Sequence, residues 1–168
     1  MVINVEVSLC WAVIAGLRIL LAIDDSELSD AAAQAVIRQF QAKDTELHVL
    51  HVLEWCRAVP ACFGFARGNT YASQFLSLTT KARDKAAALV QRVAALLRDH
   101  GFQVSTAVVD GDPRLAILGS AAKWKPDLIV LGSHNRRGLD RFLVGSVSEA
   151  VAREAACSVE IVRVQPPS

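Results

Sequence analysis

None of the four cysteines in this 168-residue chain belongs to a C-x-x-C pair or falls at zinc-site spacing. Cys10, Cys56, Cys62 and Cys157 read as reduced thiols of a cytosolic protein. Cys56 and Cys62 share a loop and can pair under oxidation, but two separate thiols is the plainer reading. Charge of one sign is also missing. The net charge is +1, so nothing pulls the whole chain toward nucleic acid or a membrane surface. No uncharged apolar run reaches the length of about twenty residues that a membrane span needs, because Arg18 interrupts the first one. A secretory leader is disfavoured: no Lys or Arg precedes that run, and Glu6 stands where positive charge belongs. Residues 1–16 are therefore expected to be a non-domain extension, such as one from an upstream start codon. Residues 17–165 are expected to form the domain. There is no internal repeat and no low-complexity segment.

The common nucleotide and catalytic motifs are absent too. No G-x-x-x-x-G-K-S/T exists: Gly138 and Gly145 are too far apart, and no lysine precedes Ser146. No G-x-G-x-x-G follows the first strand. Ser146 and His134 supply a nucleophile and a base on paper, yet no strand-turn elbow surrounds Ser146. His48 and His51 find no third ligand at metal spacing and read as hydrogen-bonded strand residues.

What is present is an apolar chain, 52% hydrophobic against 21% charged, long enough for one well-filled core. Buried strands are expected at Arg18–Ile23, Glu46–Val52, Phe102–Val109, Leu128–Leu131 and Ser158–Val164. Helices are expected between them. The first covers Ala31–Phe40 and is capped by Asp25 or Ser26. The second is long, Tyr71–His100, and ends at Gly101. The third is capped by Asp112 with Pro113 in its first position, and Lys125-Pro126 breaks it. The fourth covers Ser146–Glu154. Glu54–Thr70 is a long irregular stretch. Its Trp55, Phe63 and Phe65 either fold back on the body or form a partner surface. The order is β-α-β-α-β-α-β-α-β, with right-handed crossovers.

One stretch carries the functional argument, Asp127–Val151. It runs from an apolar strand to Gly132, through a basic loop with Arg136, Arg137 and Arg141, to Gly145-Ser146 at a helix start. Ser146 with Glu149 three residues on reads as a capping box. Strand ends in parallel sheets form ligand crevices, and helix N-termini there attract phosphates. A solvated basic loop before a capped helix is the alternative. At the first strand's end, Asp24 and Ser26 either satisfy the backbone of the turn, or face a ligand, or do both.

These residues resemble the universal stress proteins. That family carries Gly, two residues, Gly, nine residues, Gly, then Ser or Thr. Gly132, Gly145 and Ser146 fill the pattern at the right spacing, and Asn135 stands where the second glycine would be. The similarity extends from about Leu17 to Val164. It implies an α/β, Rossmann-like fold of the adenine nucleotide alpha hydrolase type. That fold has a five-stranded parallel sheet in the order 3-2-1-4-5, with helices on both faces. It implies that Ala22, Ile23, Asp24 and the backbone of Val52 meet the base and ribose. It assigns the phosphates to Leu131, Gly132, His134, Asn135, Gly145, Ser146, Val147 and Ser148. The implied ligand is ATP or a related adenine nucleotide, with or without Mg2+. The implied protein is a cytoplasmic, homodimeric regulator of the stress response, paired through Ser158–Val164. It would signal to a protein partner with little or no turnover, and without contact to nucleic acid or membrane. A ligand-independent, chaperone-like dimer and a slow ATPase are the alternatives.

Overall fold

The computed structural model describes residues 16–54, 69–132 and 145–162. Its strands are β1 (Leu17–Ile23), β2 (Thr45–Leu53), β3 (Gln103–Asp110), β4 (Leu128–Gly132) and β5 (Ser158–Val162). Its helices are α1 (Glu27–Gln39), α2 (Asn69–Asp99), α3 (Pro113–Trp124) and α4 (Ser146–Glu154), with a short 3-10 turn at Ala42–Asp44. All strand pairs are parallel, in the order β3-β2-β1-β4-β5. This is the sheet implied by the resemblance. The expected strand at Ser158–Val164 is described as far as Val162. The expected loop over 54–70 lies mostly outside the described residues.

β1 is at the centre because both its faces are apolar. Ile19, Leu20 and Leu21 are wholly buried, so replacing Leu20 by Ala would cost about 2–5 kcal/mol. Alternation sends Ile19, Leu21 and Ile23 to one face, with Leu47, Val49 and Val130. There they pack on Ala32, Ala33 and Val36 of α1 and on Val90, Val93 and Leu97 of α2. Leu20 and Ala22 go to the other face, with Leu50, Ile129 and Leu131. There they meet Ile117 of α3 and Val151 of α4. Two helices per face is what right-handed crossovers require when the chain leaves β1 in one direction and β4 in the other.

Helix ends follow local chemistry. α2 stops at Gly101, whose φ of +88° is left-handed. The Gly101 N–H donates to Arg98 O at 2.8 Å and Phe102 N–H to Leu97 O at 3.2 Å, a Schellman closure. α3 opens as expected: the Asp112 carboxylate accepts from the Leu115 N–H at 3.1 Å, with Pro113 beside it. It closes on Lys125, which is left-handed at φ 53°. α1 starts earlier than expected, at Glu27 rather than Ala31. The poor helix formers Ser29 and Asp30 hid its first turn in the sequence. Both are held by contacts outside the helix, Ser29 to Asp24 and Asp30 to Arg92.

Candidate functional site

The strand order reverses between β1 and β4. Their last paired residues are Ala22 and Leu131. The helices that follow these strands, α1 and α4, pack on opposite faces of the sheet, which opens a crevice at the carboxyl ends of the strands.

On the β1 side the crevice begins with Asp24. Its Oδ1 accepts from the Ser26 N–H at 3.0 Å, from the Ser26 hydroxyl, and from the Ser29 hydroxyl at 2.9 Å. The Ser29 oxygen in turn accepts from the Asp24 N–H at 2.7 Å. Ser29 is buried and Asp24 only partly so. Asp24 is thus the fixed point of the turn into α1, and its carboxylate has one orientation. Ser26 occupies the N-cap position, but its hydroxyl serves Asp24 and makes no cap bond.

On the β4 side the expectation for Ser146 is corrected. Gly145, not Ser146, is the N-cap residue, with an extended backbone at φ −59° and ψ 148°. Ser146 is the first residue inside α4 and is exposed. Its partner in the expected capping box, Glu149, pairs one turn on with Arg153 at 2.8 Å. Glycine takes the cap because the chain needs an extended residue directly before the helix and no side chain is required there. Anchoring falls to Ser148, which is buried and donates its hydroxyl to Gly132 O at 3.2 Å. This bond ties the start of α4 to the end of β4. The first helical bond of α4 runs from Glu149 N–H to Gly145 O. The three preceding N–H groups therefore have no acceptor within the helix and carry its positive end.

The end of β2 closes the third side. Ile23 is paired with His51, whose Nδ1–H donates to Ile23 O at 2.9 Å. Sequence reasoning missed this bond; nothing in the spacing of two histidines signals a carbonyl on the next strand. Val52 lies on the same face as Ala22 and is half-buried. The Gly111 N–H holds Leu53 O at 3.1 Å, with φ of +139° at the glycine.

The structure therefore gathers Ala22, Ile23, Asp24, Leu131, Gly132, Gly145, Ser146, Val147 and Ser148 at the crevice, with Val52 one strand away. Ala22, Ile23, Leu131 and Ser148 are buried. What these four offer a ligand is backbone. Asp24 contributes a rigid acceptor, and the start of α4 contributes donors. His134, Asn135 and the expected cations Arg136, Arg137 and Arg141 lie outside the described residues. No three His, Cys, Asp or Glu side chains among the described residues are close enough to hold a metal ion. No helix among them is long and apolar enough to cross a membrane.

His48 belongs to the other end of the sheet. Its Nδ1 bonds Ser105 Oγ at 2.8 Å, and its ring stacks on Trp124 with centroids 5.3 Å apart. Arg18 also lies over the Trp124 ring, at 4.3 Å from its centroid. Burial holds His48 below the ordinary imidazole range; Glu46 works against this and Arg18 adds to it. The Cys157 thiol is raised, first by burial and then by the charge of Asp127. Neither group is at the crevice.

Comparison with known proteins agrees with this geometry. The family model for the universal stress protein family matches residues 17–163. Universal stress protein YxiE of Bacillus subtilis is 31% identical over 156 residues, covering 87% of this chain and 98% of that protein. The solved structure of MJ0577, a protein of Methanocaldococcus jannaschii, superposes with a TM-score of 0.74 at 27% identity. It covers 92% of this chain and all of the other. A family member from Arabidopsis thaliana, solved with AMP bound, shares the fold with a TM-score of 0.61 at 19% identity, over 90% of this chain and 97% of that one. The strand order, the crevice at the switch point and the match over residues 17–163 together mean that this chain belongs to the universal stress protein family.

Proposed function

We propose that this protein binds ATP or a related adenine nucleotide in the crevice between β1 and β4, and acts as a regulator rather than a catalyst. One observation carries the reading. The pairing of Ala22 with Leu131 sets the Asp24 turn beside the Gly132 strand end, and Ser148 fixes the N-terminus of α4 on that same glycine. A carboxylate acceptor on one side and helix N–H groups with no acceptor inside the helix on the other suit a ligand with hydroxyl or amino donors at one end and phosphate at the other. AMP in the Arabidopsis relative is a ligand of that class. In this reading Ala22, Ile23 and the Val52 backbone meet the base, and Asp24 meets the ribose. Leu131, Gly132, His134, Asn135, Gly145, Ser146, Val147 and Ser148 meet the phosphates. Among the described residues at the crevice no nucleophile is paired with a base, which supports occupancy signalling over turnover. The protein works in the cytoplasm as a twofold dimer paired along β5, where Val159 and Ile161 remain only half-buried.

A second reading, a nucleotide-free dimer that acts through protein contacts, is favoured by Asn135 in place of the family's second glycine. One experiment separates the two. Native protein is purified, denatured, and the released small molecules are identified by mass. Stoichiometric adenine nucleotide supports the first reading. No nucleotide, together with no heat on titration with millimolar ATP, ADP or AMP, refutes it in favour of the second.

A further inference from the structure

The two edges of the sheet are not equivalent. β3 is one edge and β5 the other. In a parallel ladder, alternate residues turn both backbone groups to the same side. Leu47 pairs in register with Val104, and its carbonyl accepts from the hydroxyl of Ser105 at 3.2 Å. That carbonyl therefore points toward β3, and the residues of β3 bonded to β2 are Gln103, Ser105, Ala107 and Val109. Val104, Thr106 and Val108 turn their N–H and C=O groups outward, where a further strand could add.

This outward row is attended by one stripe of α2. The Arg98 guanidinium donates to Val104 O at 2.8 Å. The Gln91 amide donates to Thr106 Oγ1 at 3.2 Å. Arg83 pairs with Asp110 at the end of the strand. Positions 83, 91 and 98 lie on one side of a helix, since a step of seven residues is close to two turns and a step of eight overshoots two turns by less than about a quarter turn. The stripe runs antiparallel to β3 and meets it at its start, middle and end. Both strand and helix chemistry fit: Arg and Gln are long enough to reach past the packed Val90, Val93 and Leu97 to the sheet margin. On the opposite edge, no side chain among the described residues bonds a β5 backbone group. Glu160 there engages Gln39 of α1 through its side chain, at 2.8 Å.

We infer that the Arg83–Gln91–Arg98 stripe guards the β3 edge, so that strand-to-strand assembly with a second copy of this chain is confined to β5. The consequence is closure. A twofold pairing at β5 leaves two β3 edges at the ends of a continuous sheet. If both were open, each particle would add another and grow without limit. Arg98 makes the specific contribution, because it occupies an outward carbonyl that an incoming strand would need. This inference rests on the β5 dimer proposed above and does not depend on nucleotide binding.

The test uses the full chain and measures mass by light scattering from low to high micromolar concentration. The variants are Arg98→Ala, the double variant Arg98→Ala/Gln91→Ala, and Arg98→Lys, which keeps a long cation. Arg92→Ala is the control, an exposed α2 arginine that pairs with Asp30 of α1 instead of β3. The double variant is expected to gain mass with concentration, by at least about a doubling of the weight average, because each new strand pairing joins two existing particles. Arg98→Ala should do the same to a smaller extent, while Arg98→Lys and Arg92→Ala keep the wild-type mass. Adding Thr106→Pro, which removes an outward N–H without taking a donor from the ladder, should restore the wild-type mass. Arg98→Ala leaves every buried side chain in place and serves if the double variant does not fold. The inference is overturned if folded Arg98→Ala and the double variant keep the wild-type mass throughout. It is also overturned if Arg92→Ala grows equally, or if Thr106→Pro leaves the added mass unchanged.

Discussion

Two serines two positions apart on α4 provide a sharp test of how the crevice is built. Ser148 is 4% exposed and its hydroxyl is bonded to Gly132 O, whereas Ser146 is exposed and makes no cap bond. Ser148→Ala removes a hydrogen bond and leaves a part-buried carbonyl without that donor, which costs about 1–2 kcal/mol. For a chain of this length that loss lowers the melting temperature by roughly 3–6 °C. Ser146→Ala touches no such bond and should stay within about 0.5 kcal/mol of wild type. Urea unfolding followed by circular dichroism measures both, with an unchanged slope showing that the unfolded state is not responsible. A second readout is nucleotide affinity, which Ser148→Ala should also lower because the start of α4 is released from β4. Equal stability loss in the two variants, or wild-type stability in Ser148→Ala, would refute the assignment of the anchor.

In titration calorimetry, Gly145→Val should abolish ATP binding, since a β-branched side chain then stands at the mouth of α4; unchanged affinity counts against the phosphate site. Asn135→Gly should raise affinity, up to about tenfold if ~1.4 kcal/mol is recovered by restoring the family's glycine. Ser29→Ala should loosen the Asp24 carboxylate and weaken binding of AMP more than binding of inorganic phosphate, a difference that equal losses would contradict. At high micromolar concentration the wild type should scatter light as a dimer, and a monomer there sinks the β5 interface. Lowered by burial, His48 stays neutral when folded while the unfolded chain protonates near pH 6.5. Stability present above that pH therefore falls as the pH drops toward the folded value, and His48→Gln should flatten this slope in thermal melts. Removing residues 1–16 should leave the melting temperature nearly unchanged, because β1 begins at Leu17.

The sheet was legible in the sequence because its strands are short apolar runs with clear breakers between them. Leu128–Leu131 and Arg18–Ile23 could hardly be anything else, and the glycine spacing after Leu131 placed them side by side through the family. Local capping was legible where one residue had one possible job, as at Asp112 and Gly101. It failed where neighbours competed. Gly145 and Ser146 both suit a helix start, and only the backbone angles decide which of them stays outside. Ser26 suits a cap equally well, yet Asp24 two residues earlier takes its hydroxyl. Contacts across the sheet left no trace in local pattern. His51 on Ile23, Ser148 on Gly132 and Arg98 on Val104 each depend on register or on the angle at which a helix crosses the strands. Periodicity does not encode either quantity.

The tie between Arg18 and Asp127 bears on how the chain is made. The Arg18 N–H donates to the Asp127 carboxylate at 2.8 Å, and the Asp127 N–H returns a bond to Arg18 O at 2.8 Å, across 109 residues of sequence. β1 therefore emerges from the ribosome long before β4, its partner on that side. At synthesis rates of about 5–20 residues per second, the wait lasts roughly 5–20 s. Throughout it, β1, apolar but for Arg18, has one unpaired edge in the centre of the nascent domain. Mutations that slow translation between Asp24 and Asp127 should then lower soluble yield without altering the purified protein's melting temperature. Those that weaken the Arg18–Asp127 tie should lower both.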